Sequence, residues 1–212
     1  RSPAGMKDTA MTLFRLAALA IALIALAAPP AAAQSDQRDL LRISNYLNGL
    51  GSMAGEFVQI GPDGELSRGE FYMRRPGRLR FEYRPPNPAL IVADGTWVGV
   101  CDRQIETFDR FPLSETPLDI LLRDRVDLRD EGAVTGITRG DGQLRVRAID
   151  PDAPDQGSIT MIFSNQPLAL RRWVVVDAQG LETTVALQET RSNVKLDPRL
   201  FRIDDDACTQ YF

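Results

Sequence analysis

Between Arg78 and Arg84 every second side chain is charged, and the residues between them, Leu79, Phe81 and Tyr83, are apolar or aromatic. A period of two fits an extended strand with one face on an apolar interior and the other in water. The alternation returns in Leu144, Val146 and Ala148, in Ile159, Met161 and Phe163, and in Val185 and Leu187 with Leu181. Turn-forming clusters separate these segments: Gly61-Pro62-Asp63-Gly64, Arg75-Pro76-Gly77, Pro85-Pro86-Asn87-Pro88, Asp94-Gly95, Gly140-Asp141-Gly142 and Asp177-Ala178-Gln179-Gly180. Strands at a spacing of about ten residues, joined by such turns, predict a large antiparallel sheet, curled or closed, with a continuous apolar side.

Two segments break the period. From Ser35 to Leu50 the apolar residues Leu40, Ile43, Leu47 and Leu50 recur at helical spacing, with Leu41 and Tyr46 broadening the stripe. This predicts an amphipathic helix with Ser35 as N-cap and Gly49 near its end. The run Thr116-Pro117-Leu118-Asp119-Ile120-Leu121-Leu122 predicts a short second helix, with Thr116 as N-cap, Pro117 at the first position and Asp119 in the first turn. It is too apolar to lie bare in water, so it must cover something, and the apolar side of the sheet is the available partner. A single turn is expected around Asp197 to Leu200, and an exposed loop at Asp150 to Gly157.

The chain begins with a stretch that reads as an export signal. Lys7 and Arg15 precede an apolar run from Leu16 to Ala28, which gives way to Ala31-Ala32-Ala33. The run is about a dozen residues, where a membrane-spanning helix needs roughly 20. Residues 1–33 are therefore expected to be an upstream extension and a signal peptide cleaved near Ala33 and Gln34, and residues 34–212 a single exported domain. No cysteine follows the apolar run closely, so the mature protein is not expected to be N-terminally lipidated. Of the two cysteines, Cys101 and Cys208, sequence leaves open whether they form a disulfide or stand as one buried thiol and one at a frayed end.

The chemistry the chain lacks narrows its function. It contains no histidine, which removes Ser-His-Asp and Cys-His nucleophilic sites and the usual zinc sites. No CxxC pair, GxSxG elbow or phosphate-binding glycine loop occurs. The acidic clusters Asp204, Asp205, Asp206 and Asp150, Asp152, Asp155 lack calcium-loop spacing and read as solvated surface. The net charge of −4 becomes more negative once the signal segment, with three basic residues and one acid, is set aside. A concentrated basic surface for nucleic acid is not expected. No catalytic residue, metal or cofactor is assigned.

The ordered set Gly55-Glu56-Phe57-Val58-Gln59, then Gly69-Glu70-Phe71-Tyr72-Met73-Arg74-Arg75-Pro76-Gly77-Arg78-Leu79-Arg80-Phe81-Glu82-Tyr83, resembles the signature of the LolA family of periplasmic lipoprotein carriers. Pro88-Ala89-Leu90-Ile91-Val92-Ala93-Asp94-Gly95 with Trp97 is similar to that family's next hairpin, and Thr116-Pro117 with its leucines to its lid helix. Where many members carry an aromatic-Asp pair after the tryptophan strand, this chain has Cys101-Asp102. The resemblance implies a mainly β fold with helices: an incomplete, half-open antiparallel barrel capped by short α-helices. It also implies a monomer that takes acyl chains of lipoproteins from an inner-membrane lipoprotein-releasing ABC transporter to an outer-membrane lipoprotein receptor.

On that basis the cavity wall is expected to comprise Phe57, Leu79, Phe81, Tyr83, Ile91, Trp97, Ile159, Met161 and Phe163. The lid is expected to comprise Leu40, Ile43, Leu47, Leu118, Ile120, Leu121 and Leu122, with Arg75 as a latch onto lid carbonyls. Read without the resemblance, the same side chains could be ordinary core. The competing functional reading is a periplasmic sensor, or a carrier of another amphiphile, on the same half-barrel.

Overall fold

The computed structural model describes residues 31–130 and 132–203. The expected export segment lies outside them apart from Ala31, Ala32 and Ala33, as do Cys208 and the triple-aspartate cluster. The chain divides after Arg38 into two compact units, and the sheet with everything packed on it belongs to the unit from Asp39 onward.

Helix α1 (Ala31–Gly49) leads into six up-and-down strands: β1 (Ser52–Ile60), β2 (Leu66–Arg74), β3 (Arg78–Tyr83), β4 (Ala89–Asp94), β5 (Trp97–Asp102) and β6 (Thr107–Pro112). A connection containing a 3-10 turn (Leu113–Glu115) and helix α2 (Leu118–Leu122) comes next. Five more strands complete the sheet: β7 (Val134–Gly140), β8 (Gln143–Ala148), β9 (Ser158–Asn165), β10 (Leu168–Val176) and β11 (Glu182–Ser192). All neighbours are antiparallel, in the order β6-β5-β4-β3-β2-β1-β11-β10-β9-β8-β7. The last strand thus returns to pair with the first, while β6 and β7, consecutive in sequence, form the two edges. Among the described residues no pairing joins those edges, so the barrel is open at that seam.

The alternation read from β3 is the burial pattern observed: Leu79, Phe81 and Tyr83 are buried and their charged neighbours are not. Inward residues from β1 to β5 and β8 to β11 form one cluster with Leu40, Ile43 and Leu47 of α1 and Ile120, Leu121 and Leu122 of α2. Burial of a large apolar side chain stabilises by about 1.5–3 kcal/mol, so this shared cluster is the main force holding both helices on the sheet. A smaller cluster of Leu90, Val92 and Cys101 lies apart from it, covered by Phe108 and Ile203. Cys101 there is disulfide-bonded.

Neither helix starts as its sequence suggests. Ser35 lies inside α1 rather than at its cap, because Ala31 to Gln34 are themselves good helix formers and extend it backwards. Thr116 does not cap α2, since its hydroxyl donates back to the Leu113 carbonyl (2.8 Å), closing the preceding turn. The expected terminal turn is a 3-10 turn at Pro198–Phe201, with Asp197 accepting from the Arg199 amide (2.9 Å). Among the described residues no helix is long and apolar enough to cross a membrane.

Candidate functional site

The inner wall is built around Phe81. Its ring lies edge-on to Phe57 (4.7 Å between centroids) and Trp173 (6.0 Å), and stacks on Phe71 at 6.2 Å. Phe57 also meets Tyr83 edge-on at 5.0 Å. Space for Phe57 is made by Gly69, where a Cβ would come within 2.7 Å of its ring and closer still to the Glu82 carbonyl. The Tyr83 hydroxyl donates to Gln59 Oε1 (2.7 Å), which satisfies its polar tip among these rings. Burial pushes this phenol up to about 12.

Two covers close over the wall, and they are pinned by polar bonds at their rims. Arg75, at the β2–β3 turn, donates through Nη1 to the Leu47 carbonyl of α1. Its Nη2 donates to the Arg123 carbonyl (2.5 Å) and reaches that of Asp124 at 3.5 Å, both just beyond α2. Helix C-termini leave carbonyls unpaired, so one guanidinium joins the ends of both covers. Among the described residues its Nε is buried without a partner, and burial lowers the affinity of the group for the proton, partly offset by Asp124. The Gly77 amide donates to the Leu122 carbonyl (2.8 Å) from a backbone with φ of +73°, and a Cβ there would meet Gly95 Cα at 2.6 Å.

The stretch after α2 is tied to α1 as well. Asn48 exchanges two hydrogen bonds with the Val126 backbone, at 2.8 and 2.9 Å, and Ser44 Oγ accepts from the Leu128 amide at 3.0 Å. Arg123 pairs with Asp119 (2.8 Å) and Asp150 (3.0 Å), holding α2 to the loop after β8. On the far side of α1, Asp39 pairs with Arg139 of β7 at 2.7 Å.

The structure brings Phe57, Leu79, Phe81, Tyr83, Ile91, Ile159, Met161 and Phe163 into one cluster with Leu40, Ile43, Leu47, Leu118, Ile120, Leu121 and Leu122. Trp97 is a correction to the expected wall. It is 36 % exposed and carries the Arg110 guanidinium 4.7 Å above its ring, while Val98 and Val100 supply the inward positions of β5. Sequence reading missed Trp173, because a bulge between Leu170 and Arg172 shifts the parity of β10. It also missed Phe71, which alternates with Met73 and was legible, and the pins Asn48, Ser44 and Gly77, for which no local pattern exists.

The arrangement contains an apolar wall, two apolar covers and polar closures at the rim. It can exclude water and accept alkyl groups if the covers lift. Among the described residues no cluster of metal-ligating side chains occurs.

Residues 48–204 match the family model described as outer membrane lipoprotein carrier protein LolA. An outer-membrane lipoprotein carrier protein from Methylococcus capsulatus is 24% identical over 190 residues, covering 85% of this chain and 90% of the relative. Another from Azotobacter vinelandii is 27% identical over 206 residues, covering 90% and 94%. A solved domain from Vibrio parahaemolyticus, assigned to outer membrane lipoprotein sorting, superposes with a TM-score of 0.51 at 8% identity. It covers 80% of this chain and 97% of the domain, a likeness of fold alone.

Proposed function

The chain belongs to the LolA family of outer membrane lipoprotein carrier proteins, and from that premise we propose that it is a non-enzymatic periplasmic carrier of lipoproteins. Its apolar core opens to take the acyl chains and closes after they are handed on. The observation that carries this reading is the pair of covers over one continuous apolar wall, joined at their ends by Arg75. A permanent core would be closed most simply by packing alone; polar pins at the rim give a cover that can be released as a unit.

In the closed form, Leu121 and Leu122 of α2 and Leu47 of α1 are fully buried with Phe81 and its neighbours. Lifting the covers exposes that surface to water, which opposes opening. An acyl chain replaces them: each methylene buried contributes about 0.8 kcal/mol, so ten contribute about 8 kcal/mol. Breaking hydrogen bonds from a charged donor costs about 1.5–3 kcal/mol each. The pins are thus strong enough to favour the closed form without cargo and weak enough to be offset by it. The binding needs no directional chemistry, which suits cargo that shares only its lipid.

Export across the inner membrane follows from the signal-like residues 1–33, and cleavage falls near Gln34. Loading from an inner-membrane lipoprotein-releasing ABC transporter and delivery to an outer-membrane receptor complete the route. The test is twofold. The protein purified from its native periplasm is extracted and its ligand identified by mass spectrometry, and purified protein is added to spheroplasts to measure release of a lipoprotein. The expected result is diacylated or triacylated lipoprotein in both. Recovery of a glycolipid alone, with no lipoprotein release, would move the chain to a carrier of another amphiphile.

A further inference from the structure

The outward face of β8, β9 and β10 carries four arginines that no carboxylate among the described residues neutralises. Arg145 and Arg147 stand on β8, and Arg171 and Arg172 at the bulge of β10; all four are exposed. Arg145 meets only the Gln143 side-chain oxygen (3.3 Å), and Arg147 only the hydroxyls of Thr135 (3.3 Å) and Ser158 (3.1 Å). Arg171 donates to Ser164 Oγ at 3.3 Å, and Arg172 has no side-chain partner among the described residues. Among those residues none of the four has a carboxylate within ion-pair distance. Elsewhere pairing is mixed: Arg42, Arg80, Arg84, Arg123, Arg129 and Arg199 are each paired with an aspartate or glutamate, while the exposed Arg125, Arg191 and Arg202 have no such pair among the described residues.

Register extends the same face across the sheet. One row of paired residues reads Arg68, Val58, Ala186, Arg172, Ile162, Arg145, and the next reads Leu66, Ile60, Thr184, Val174, Thr160, Arg147. Their strand neighbours, such as Phe57, Val185, Trp173, Met161 and Val146, belong to the core, so these rows face outward. Neither row holds a carboxylate, in a chain with more acids than bases. At one end Ile60 and Leu66 are 46 % and 54 % exposed.

From this geometry we infer that the outward face of β8–β10, continued to Ile60 and Leu66, docks on an anionic phospholipid bilayer. Charge complementarity selects an anionic partner, because guanidinium groups lacking local counterions bind phosphodiesters without first breaking an ion pair. The side chains between the arginines, Val58, Ala186, Ile162, Thr184, Val174 and Thr160, are aliphatic or β-branched. A peptide would need pockets or a free strand edge here for specificity, whereas a fluid layer of headgroups needs neither. The exposed aliphatic pair at the end of the face suits the headgroup boundary. The face is distinct from the covers, so docking leaves them free to open, and the inference stands whether or not the core carries lipoproteins.

The experiment is co-sedimentation of the mature protein with vesicles of phosphatidylcholine alone, or with about a third phosphatidylglycerol, at low and high salt. Binding is expected only to the anionic vesicles and is lost at high salt. The combined variant Arg145→Gln, Arg147→Gln, Arg172→Gln should bind about a hundred-fold more weakly. An equal charge loss elsewhere, Arg110→Gln, Arg129→Gln, Arg199→Gln, should change binding much less. Circular dichroism checks that each variant is folded. Failure of the wild type to bind, equal loss in both variants, or equal binding to neutral vesicles overturns the inference. Arginine-dependent capture of an acidic protein without vesicle binding would overturn it too, giving the face to a protein partner.

Discussion

Phe81 concentrates the residue-scale physics of the site, since three aromatic rings and both covers share its cluster. Phe81→Ala removes a fully packed ring and leaves a void that its rigid neighbours fill only in part, so denaturant unfolding should show a loss of about 3–5 kcal/mol. Binding of an acyl-chain fluorescent probe should weaken with it. A loss below about 1 kcal/mol would show that the ring is not packed as described. Tyr83 gives a second, pH-dependent signature. Its phenol is held up at about 12 in the fold against an ordinary value of 10.0, mainly by burial. The unfolded chain then releases that proton first, so the contribution is intact below pH 10 and is lost as pH rises towards about 12. Tyr72, raised similarly by its bond to Glu70, adds to the same fall. Tyr83→Phe should therefore unfold with a shallower dependence on alkaline pH than the parent, whatever its stability at neutral pH. An unchanged slope would show that Tyr83 keeps its ordinary affinity for the proton.

At the scale of elements, the latch and the pins decide how the covers move. Arg75→Leu removes the bonds to Leu47 and Arg123 together, while Arg78, on the same hairpin, makes no such bond. Arg75→Leu should raise spontaneous uptake of an apolar probe and disturb lipoprotein transfer; Arg78→Leu should leave both near the parent, and indistinguishable variants would remove the latch. Asn48→Ala strands the amide and carbonyl of Val126, at a cost of about 1–3 kcal/mol, and should loosen the stretch after α2 without touching Arg75. The apolar stripe of α1, the identity of α2 and the strand faces of β3, β8 and β9 were legible because burial imposes a period on the sequence. Caps were not, because Ser35 and Thr116 are good capping types whose local competitors, an upstream helix-forming run and a nearer carbonyl, prevailed. Trp97 was expected inside and Trp173 was passed over for the same kind of reason. Composition marks a large aromatic as core, but strand parity and one bulge place the first outside and the second inside.

The whole molecule sets a hierarchy between these parts. β1 holds the two halves of the sheet together, with nine register pairs to β2 and seven to β11. The pairing with β2 is a local hairpin, whereas that with β11 joins distant parts of the chain, and Phe57 and Leu187 on it are buried in the core. The covers lack a comparable ladder. Beyond apolar packing, the stretch from α2 to Leu128 is held to the rest by scattered hydrogen bonds with Arg75, Asn48, Ser44 and Gly77 and by the Arg123–Asp150 pair. Its connection also lies between the two unpaired edges, where lifting it breaks no strand pairing. The topology was only partly legible: alternation indicated the strands, but which of them forms the seam depends on the return of β11 to β1, which no local pattern states. Opening should then cost far less than unfolding. Native-state hydrogen exchange should find the amides of Arg123, Val126, Leu128 and Gly77 exchanging well before those of Phe57, Phe71 and Leu187. Arg75→Leu should speed the first group several-fold and leave the second at the global rate, because the latch belongs to the cover and not to the ladder. If both groups exchanged together, in parent and variant alike, cover and sheet would be one cooperative unit, and a carrier cycle by release of the covers would have no free-energy gap in which to operate.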